Sequence, residues 1–121
     1  MKLILVVDDE VDILETIIDT LDFEFEKKIM VDKAMNGVEA LAMFRQKKYD
    51  LVITDLNMPE MNGIDFSINV KELNDKMPII VFTGHGDVEE LTRLNHVGVQ
   101  AMIKKPDVEK LVETVNGYIH T

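Results

Sequence analysis

Four apolar stretches in this 121-residue chain each end in a residue able to do chemistry. Leu3–Val7 runs into Asp8 and Asp9, Leu51–Thr54 into Asp55, Ile79–Phe82 into Thr83, and Ala101–Ile103 into Lys104 and Lys105. Three carboxylates brought together repel one another and call for a compensating cation. Oxygen ligands with no His or Cys among them favour a hard ion, Mg²⁺ first and Mn²⁺ as a possible substitute. Mg²⁺ is commonly held by one or two carboxylates together with waters and a phosphate, so a phosphate belongs beside it. A lysine suits that phosphate as a point charge and a hydroxyl suits it as a donor. A carboxylate can itself be the nucleophile and form an aspartyl-phosphate.

These groups need elements that bring them to one place, and the hydrophobic pattern supplies them. Leu3–Val7 and Leu51–Thr54 are short continuous apolar runs, the pattern of strands buried on both faces. Between such runs the period becomes helical. Leu14, Ile17, Ile18 and Leu21 line one face of a helix over Val11–Phe25, while Asp12, Glu15, Asp19 and Asp22 line a solvated one. A weaker strand over Ile29–Met35 precedes the turn pair Asn36-Gly37, and Val38–Lys47 is helical with Val38, Leu41 and Phe44 turned inward. Ile64–Leu73 forms the next helix. Asp87 opens another, closed by Gly98, and a last helix carries Val108, Leu111, Val112, Val115, Tyr118 and Ile119 on one face. Met30, Met35, Met43, Met77 and Met102 are expected to fill gaps in the core.

Five strand–helix units with no hairpin signal predict a parallel α/β sheet covered on both faces. In such a sheet the carboxyl ends of all strands share one edge, where ligands bind. Each feature alone has a plainer reading: paired acids after a strand often cap a helix, and an Asp or Lys-Pro at a strand end is a common turn. Four strand ends carrying compatible chemistry on a common edge favour a site.

Composition excludes much else. The length fits one domain over residues 1–121. The absence of cysteine removes disulfides, thiolate metal sites and thiol catalysis. No apolar run approaches the ~20 residues of a membrane span, and no signal peptide survives Asp8, Asp9 and Glu10, so a cytoplasmic protein is expected. Against 13 Lys and Arg stand 23 Asp and Glu, a net charge of −10. That balance disfavours direct contact with nucleic acid or anionic lipid.

The succession Val7-Asp8-Asp9-Glu10, Asp55-Leu56-Asn57-Met58-Pro59-Glu60-Met61-Asn62-Gly63, Thr83-Gly84 and Lys105-Pro106 resembles the receiver domain of bacterial two-component response regulators. The resemblance spans the whole chain in order. It implies a flavodoxin-like (βα)5 fold with strand order 2-1-3-4-5, and a stand-alone receiver with no effector domain. It further implies that Asp55 accepts a phosphoryl group from a histidine kinase or histidine phosphotransfer protein. Asp9, Asp55 and the main-chain carbonyl of Asn57 would ligate Mg²⁺, and Asp8 would act through a water. Lys105, followed by a cis bond to Pro106, would contact the phosphoryl oxygens, while Lys104, one step earlier, points the other way. Thr83 would be the switch hydroxyl with the small Gly84 beside it, and Asn57 and His85 would tune the lifetime of the phosphoryl group. Where the family commonly has an aromatic switch residue, this chain has Met102.

The implied function is a phosphorylation switch acting through protein–protein contact, not an enzyme in the ordinary sense. Two alternatives stand beside it. One is a receiver-like interaction module independent of phosphorylation. The other is a Mg²⁺-dependent phosphohydrolase, disfavoured because Asn57 stands where such a site needs a second Asp. No G-x-x-x-x-G-K-[ST] loop is present.

Overall fold

The computed structural model describes residues 1–120. Strands β1 (Lys2–Val7), β2 (Ile29–Ala34), β3 (Leu51–Thr54), β4 (Ile79–Thr83) and β5 (Ala101–Lys104) alternate with helices α1 (Val11–Phe25), α2 (Gly37–Gln46), α3 (Gly63–Leu73), α4 (Val88–Val97) and α5 (Val108–Ile119). The strands form one parallel sheet in the order β2-β1-β3-β4-β5. Strand order reverses between β1 and β3, so the crevice above their carboxyl ends is the expected ligand position.

Strand alternation splits the core into two layers. Ile4, Val6, Leu51, Ile53, Ile80, Phe82 and Ile103 face α1 and α5, where they pack with Leu14, Ile17, Leu21, Leu111 and Val115. Leu5, Val7, Val52 and Ile79 face the other way, toward Leu41 and Phe44 of α2 and Phe66 and Val70 of α3. A smaller cluster of Leu56, Ile64, Val81 and Leu94 closes the gap between α3 and α4. Only Leu94 of α4 is fully buried, in keeping with the poor apolar stripe of that helix.

Four helices begin on side-chain caps: Asn36 accepts from Glu39 N–H, Asn62 from Asp65, Asp87 from Glu90 and Asp107 from Lys110. At Asp87 the Glu90 carboxylate returns a bond to the Asp87 N–H, completing a capping box. Helix α1 differs: its N-cap is Glu10, whose side chain makes no capping bond.

Several expectations require correction. Val38 is not inward but 48% exposed, because α2 turns Gly37, Ala40, Leu41 and Phe44 to the sheet. Met30, Met35 and Met102 are exposed rather than core fillers, since Met30 and Met102 lie on the edge strands β2 and β5 and Met35 follows the end of β2. Met77 is buried as expected, and Met43 packs partly buried against the α2–α3 side. The correction on α2 is testable by urea unfolding. Leu41→Ala should cost about 2–4 kcal/mol, as deletion of a buried leucine does. Val38→Ala should cost well under half of that. Equal losses would restore Val38 to the core.

Candidate functional site

The parallel ladder continues one residue beyond the strands. Asp8 N–H donates to Ala34 O (3.1 Å), Asp55 N–H to Val7 O (3.0 Å), and Lys105 N–H to Thr83 O (2.9 Å). The chemically active residues are therefore held by sheet hydrogen bonds, not by free loops. Counting by twos from the core, Asp8 continues the series Ile4 and Val6, Asp55 the series Leu51 and Ile53, and Lys105 follows Ile103. Their side chains meet accordingly. Lys105 Nζ lies 2.8 Å from Asp8 Oδ2 and 3.1 Å from Asp55 Oδ2.

Each carboxylate is fixed from its second oxygen by the backbone. Asp8 Oδ1 accepts the Glu10 N–H at 2.9 Å, and Asp55 Oδ1 accepts the Leu56 N–H at 2.7 Å. Asp8 and Asp55 are 1% and 5% exposed, and among the described residues one ammonium, that of Lys105, pairs with both. Burial holds the Asp8 carboxyl above its ordinary range, more than its bonds to Lys105 and the Glu10 N–H can lower it. Burial alone would lower Lys105, but the Asp8 and Asp55 carboxylates beside it reverse this and hold the ammonium above its usual value.

Asp8, Asp9, Glu10 and Asp55 can each place one oxygen within 4.8 Å of the others. Four hard oxygen donors in that space, with Asp9 only half-buried, fit a hexacoordinate Mg²⁺ that keeps several waters. The loop after Asp55 is closed tightly around this point. Gly63 N–H donates to Leu56 O at 2.7 Å, and a Cβ on Gly63 would overlap the Asp55 carbonyl oxygen. Only glycine admits the first turn of α3 so close to Asp55.

On the opposite side of the sheet, Thr83, Met102 and Lys104 line a groove of about 510 Å³ with Gly84, His85, Gly86, Leu91 and Ile103. Thr83 Oγ1 accepts the His85 N–H at 3.4 Å, a long bond within its own loop. Lys104 is exposed and stands apart from the carboxylates, as strand alternation requires. Lys105-Pro106 is a cis peptide. A Cβ on Gly84 would meet nothing within 4 Å, so no steric conflict demands glycine there. Asn57 and His85 are exposed at the site's rim loops. Neither Asp8 nor Asp9 is the cap of α1, which removes the plain reading of that pair. The residue that sequence reasoning passed over is Glu10: its Oε1 stands 3.6 Å from Lys105 Nζ although the side chain is 63% exposed. Its position directly after Asp8-Asp9 was the available signal.

A raised Asp8 pKa has a definite sign for stability. The folded state binds the Asp8 proton more tightly than the unfolded chain, whose ordinary value is 3.8. Ionised Asp8 therefore costs stability at neutral pH. That cost fades as pH falls through the raised folded value, and it is gone below 3.8. Asp8→Asn should raise the urea midpoint at pH 7, with Asp55 and Glu10 still holding Lys105, and the gain should vanish below pH 3.8. A loss of stability at pH 7 would show that the Lys105 pair outweighs the burial of Asp8.

The sequence and the fold are similar to those of known proteins. The family model of the response regulator receiver domain matches residues 4–116. Chemotaxis protein CheY of Halobacterium salinarum is 34% identical over 105 residues, 87% of this chain and 85% of that protein. Transcriptional regulatory protein GlrR of Escherichia coli is 32% identical over 84 residues, and this chain spans only 19% of its length. Among solved structures, a CheY-like response regulator receiver domain protein from Methanospirillum hungatei superimposes with a TM-score of 0.92 at 28% identity, covering 99% of this chain and 94% of that one. With the family model, the sheet order and the carboxylate–lysine crevice in agreement, the chain belongs to the response regulator receiver domains.

Proposed function

We propose that Asp55 is the phosphoacceptor of this receiver domain, that a histidine kinase or histidine phosphotransfer protein is the donor, and that the reaction needs Mg²⁺. The observation that carries the reading is the Asp55 carboxylate itself. It is buried, fixed through Oδ1 by the Leu56 N–H, and paired through Oδ2 with Lys105. An Asp55 oxygen attacks the phosphorus of the phosphohistidine. The new O–P bond forms as the N–P bond breaks, and the imidazole leaves with the bonding pair.

Asp9, Asp55 and the main-chain carbonyl of Asn57 would hold Mg²⁺, with Asp8 reaching it through a water. Bound there, the ion supplies charge neutralisation for the incoming phosphoryl oxygens. Lys105 stays in reach of those oxygens because its stem is confined beside Asp8 and Asp55, with its side chain only 11% exposed. Phosphorylation adds about −1.5 to −2 of charge on the sheet edge. The Thr83 hydroxyl, whose oxygen accepts only a long bond from the His85 N–H, can then donate its proton to a phosphoryl oxygen. That movement carries the β4–α4 loop, which shares its groove with Met102 and Leu91. Met102 at the rim can enter this groove, a flexible side chain in place of a rigid ring. The output is a changed surface at α4 and β5, read by a protein partner. Asn57 and His85 border the phosphoryl position and set its lifetime. Among the described residues no helix is long and apolar enough to cross a membrane.

Intact-protein mass after incubation with acetyl phosphate tests the reading. The wild-type chain should gain one phosphoryl group only with Mg²⁺ present, and Asp55→Asn should gain none. An unmodified wild-type chain would leave an interaction module independent of phosphorylation, and equal labelling of Asp55→Asn would place the acceptor at another residue.

A further inference from the structure

Glu10 is the one carboxylate of the cluster to which the proposed transfer gives no task. Its main chain is fixed, since its N–H donates to Asp8 Oδ1 at 2.9 Å. Its side chain is free of the usual duty of an N-cap residue. It is 63% exposed, while Asp8, Asp55 and Lys105 beneath it are almost wholly covered. Lys105 already has closer counter-ions at 2.8 and 3.1 Å, so a third at 3.6 Å adds little to holding it. What Glu10 does add is a fixed negative charge at the mouth of the crevice.

Any phosphodonor reaching Asp55 is an anion and must come near that charge. We infer that Glu10 is a specificity-determining residue: its carboxylate, poised over Lys105 at the entrance to the Asp55 crevice, slows phosphorylation by small free phosphodonors in proportion to their negative charge. This rests on Asp55 being the phosphoacceptor, as proposed above. Glu10 acts on the approaching donor through space, at the solvent edge. Its effect must therefore be screened by salt, with a Debye length of about 10 Å at 0.1 M and about 3 Å at 1 M. A residue that merely supported the fold would show neither dependence on donor charge nor dependence on salt.

The test compares wild type, Glu10→Gln and Glu10→Asp by the rate of phosphoryl mass gain, with Mg²⁺ raised until the rate no longer changes. Acetyl phosphate serves as the doubly charged donor and phosphoramidate as the singly charged one. At about 0.05 M ionic strength Glu10→Gln should react several-fold faster than wild type with acetyl phosphate and less so with phosphoramidate. Glu10→Asp should keep the wild-type rates, and at about 1 M the three should converge. An unchanged or slower Glu10→Gln overturns the inference, as does a gain equal for both donors and both salt concentrations. A wild-type chain that labels normally while Glu10→Gln shows no such pattern removes the role of Glu10 alone. A wild-type chain that never labels removes the phosphoacceptor reading and this inference with it.

Discussion

A single ammonium group serves three carboxylates. Lys105 Nζ stands within 3.6 Å of oxygens from Asp8, Asp55 and Glu10, with Asp9 close beside them. Like charges held this near one another at a covered position are unfavourable unless compensated. One lysine compensates only part of the cluster. The remaining negative charge calls for a divalent cation, which the hard oxygen donors of the cluster fit. The burial that raises the Asp8 pKa is the same demand seen from the side of stability. A fold free of function would have placed an apolar residue here, as it did at Val6 and Ile53 two positions earlier.

The sheet enforces this arrangement. β1 and β3 are adjacent although distant in sequence, and their register sets Val7 beside Thr54. Asp8 and Asp55 leave the ladder at the same level on the same face. Lys105 arrives from β5 at the far end of the sheet, two strands beyond β3, and its long stem crosses that distance. The opposite parity sends Thr83, Met102 and Lys104 to the other side, where α4 is the least buried helix. The strands thus divide the labour by alternation: odd and even positions separate the charged crevice from the groove under α4. Thr83, the last residue of β4, lines that groove. The glycine at position 63 lets α3 start against the backbone of Asp55 and so seals the crevice from below.

Much of this was legible in the sequence because apolar runs and their terminal residues follow simple periods. The five strands, the five helices and the separation of Lys104 from Lys105 all follow from those periods. Strand order did not, because the hydrophobic pattern within each strand carries no record of its neighbour; that order came from the family resemblance and is borne out by the ladder. Exposure at sheet edges was also hidden. Met30 and Met102 read as core because nothing local shows that β2 and β5 each lack a neighbour on one side. Val38 misled for a different reason: it lies at helical spacing from Leu41, but Ala40 takes the inward position. Glu10 was passed over because an exposed acid at a helix start has an ordinary capping role, and only the folded geometry shows that it does not perform it.

On the proposed function, Asp55, its neighbouring acids and Lys105 form a preassembled receptacle for Mg²⁺ and a tetrahedral phosphoryl group. The most direct measurement is ¹⁹F NMR of beryllofluoride, which mimics the aspartyl-phosphate without requiring a donor or a leaving group. A preassembled receptacle should give a protein-bound fluorine signal that needs Mg²⁺ and is missing from Asp55→Asn. No bound signal in the wild-type chain with Mg²⁺, or an undiminished one in Asp55→Asn, would contradict it.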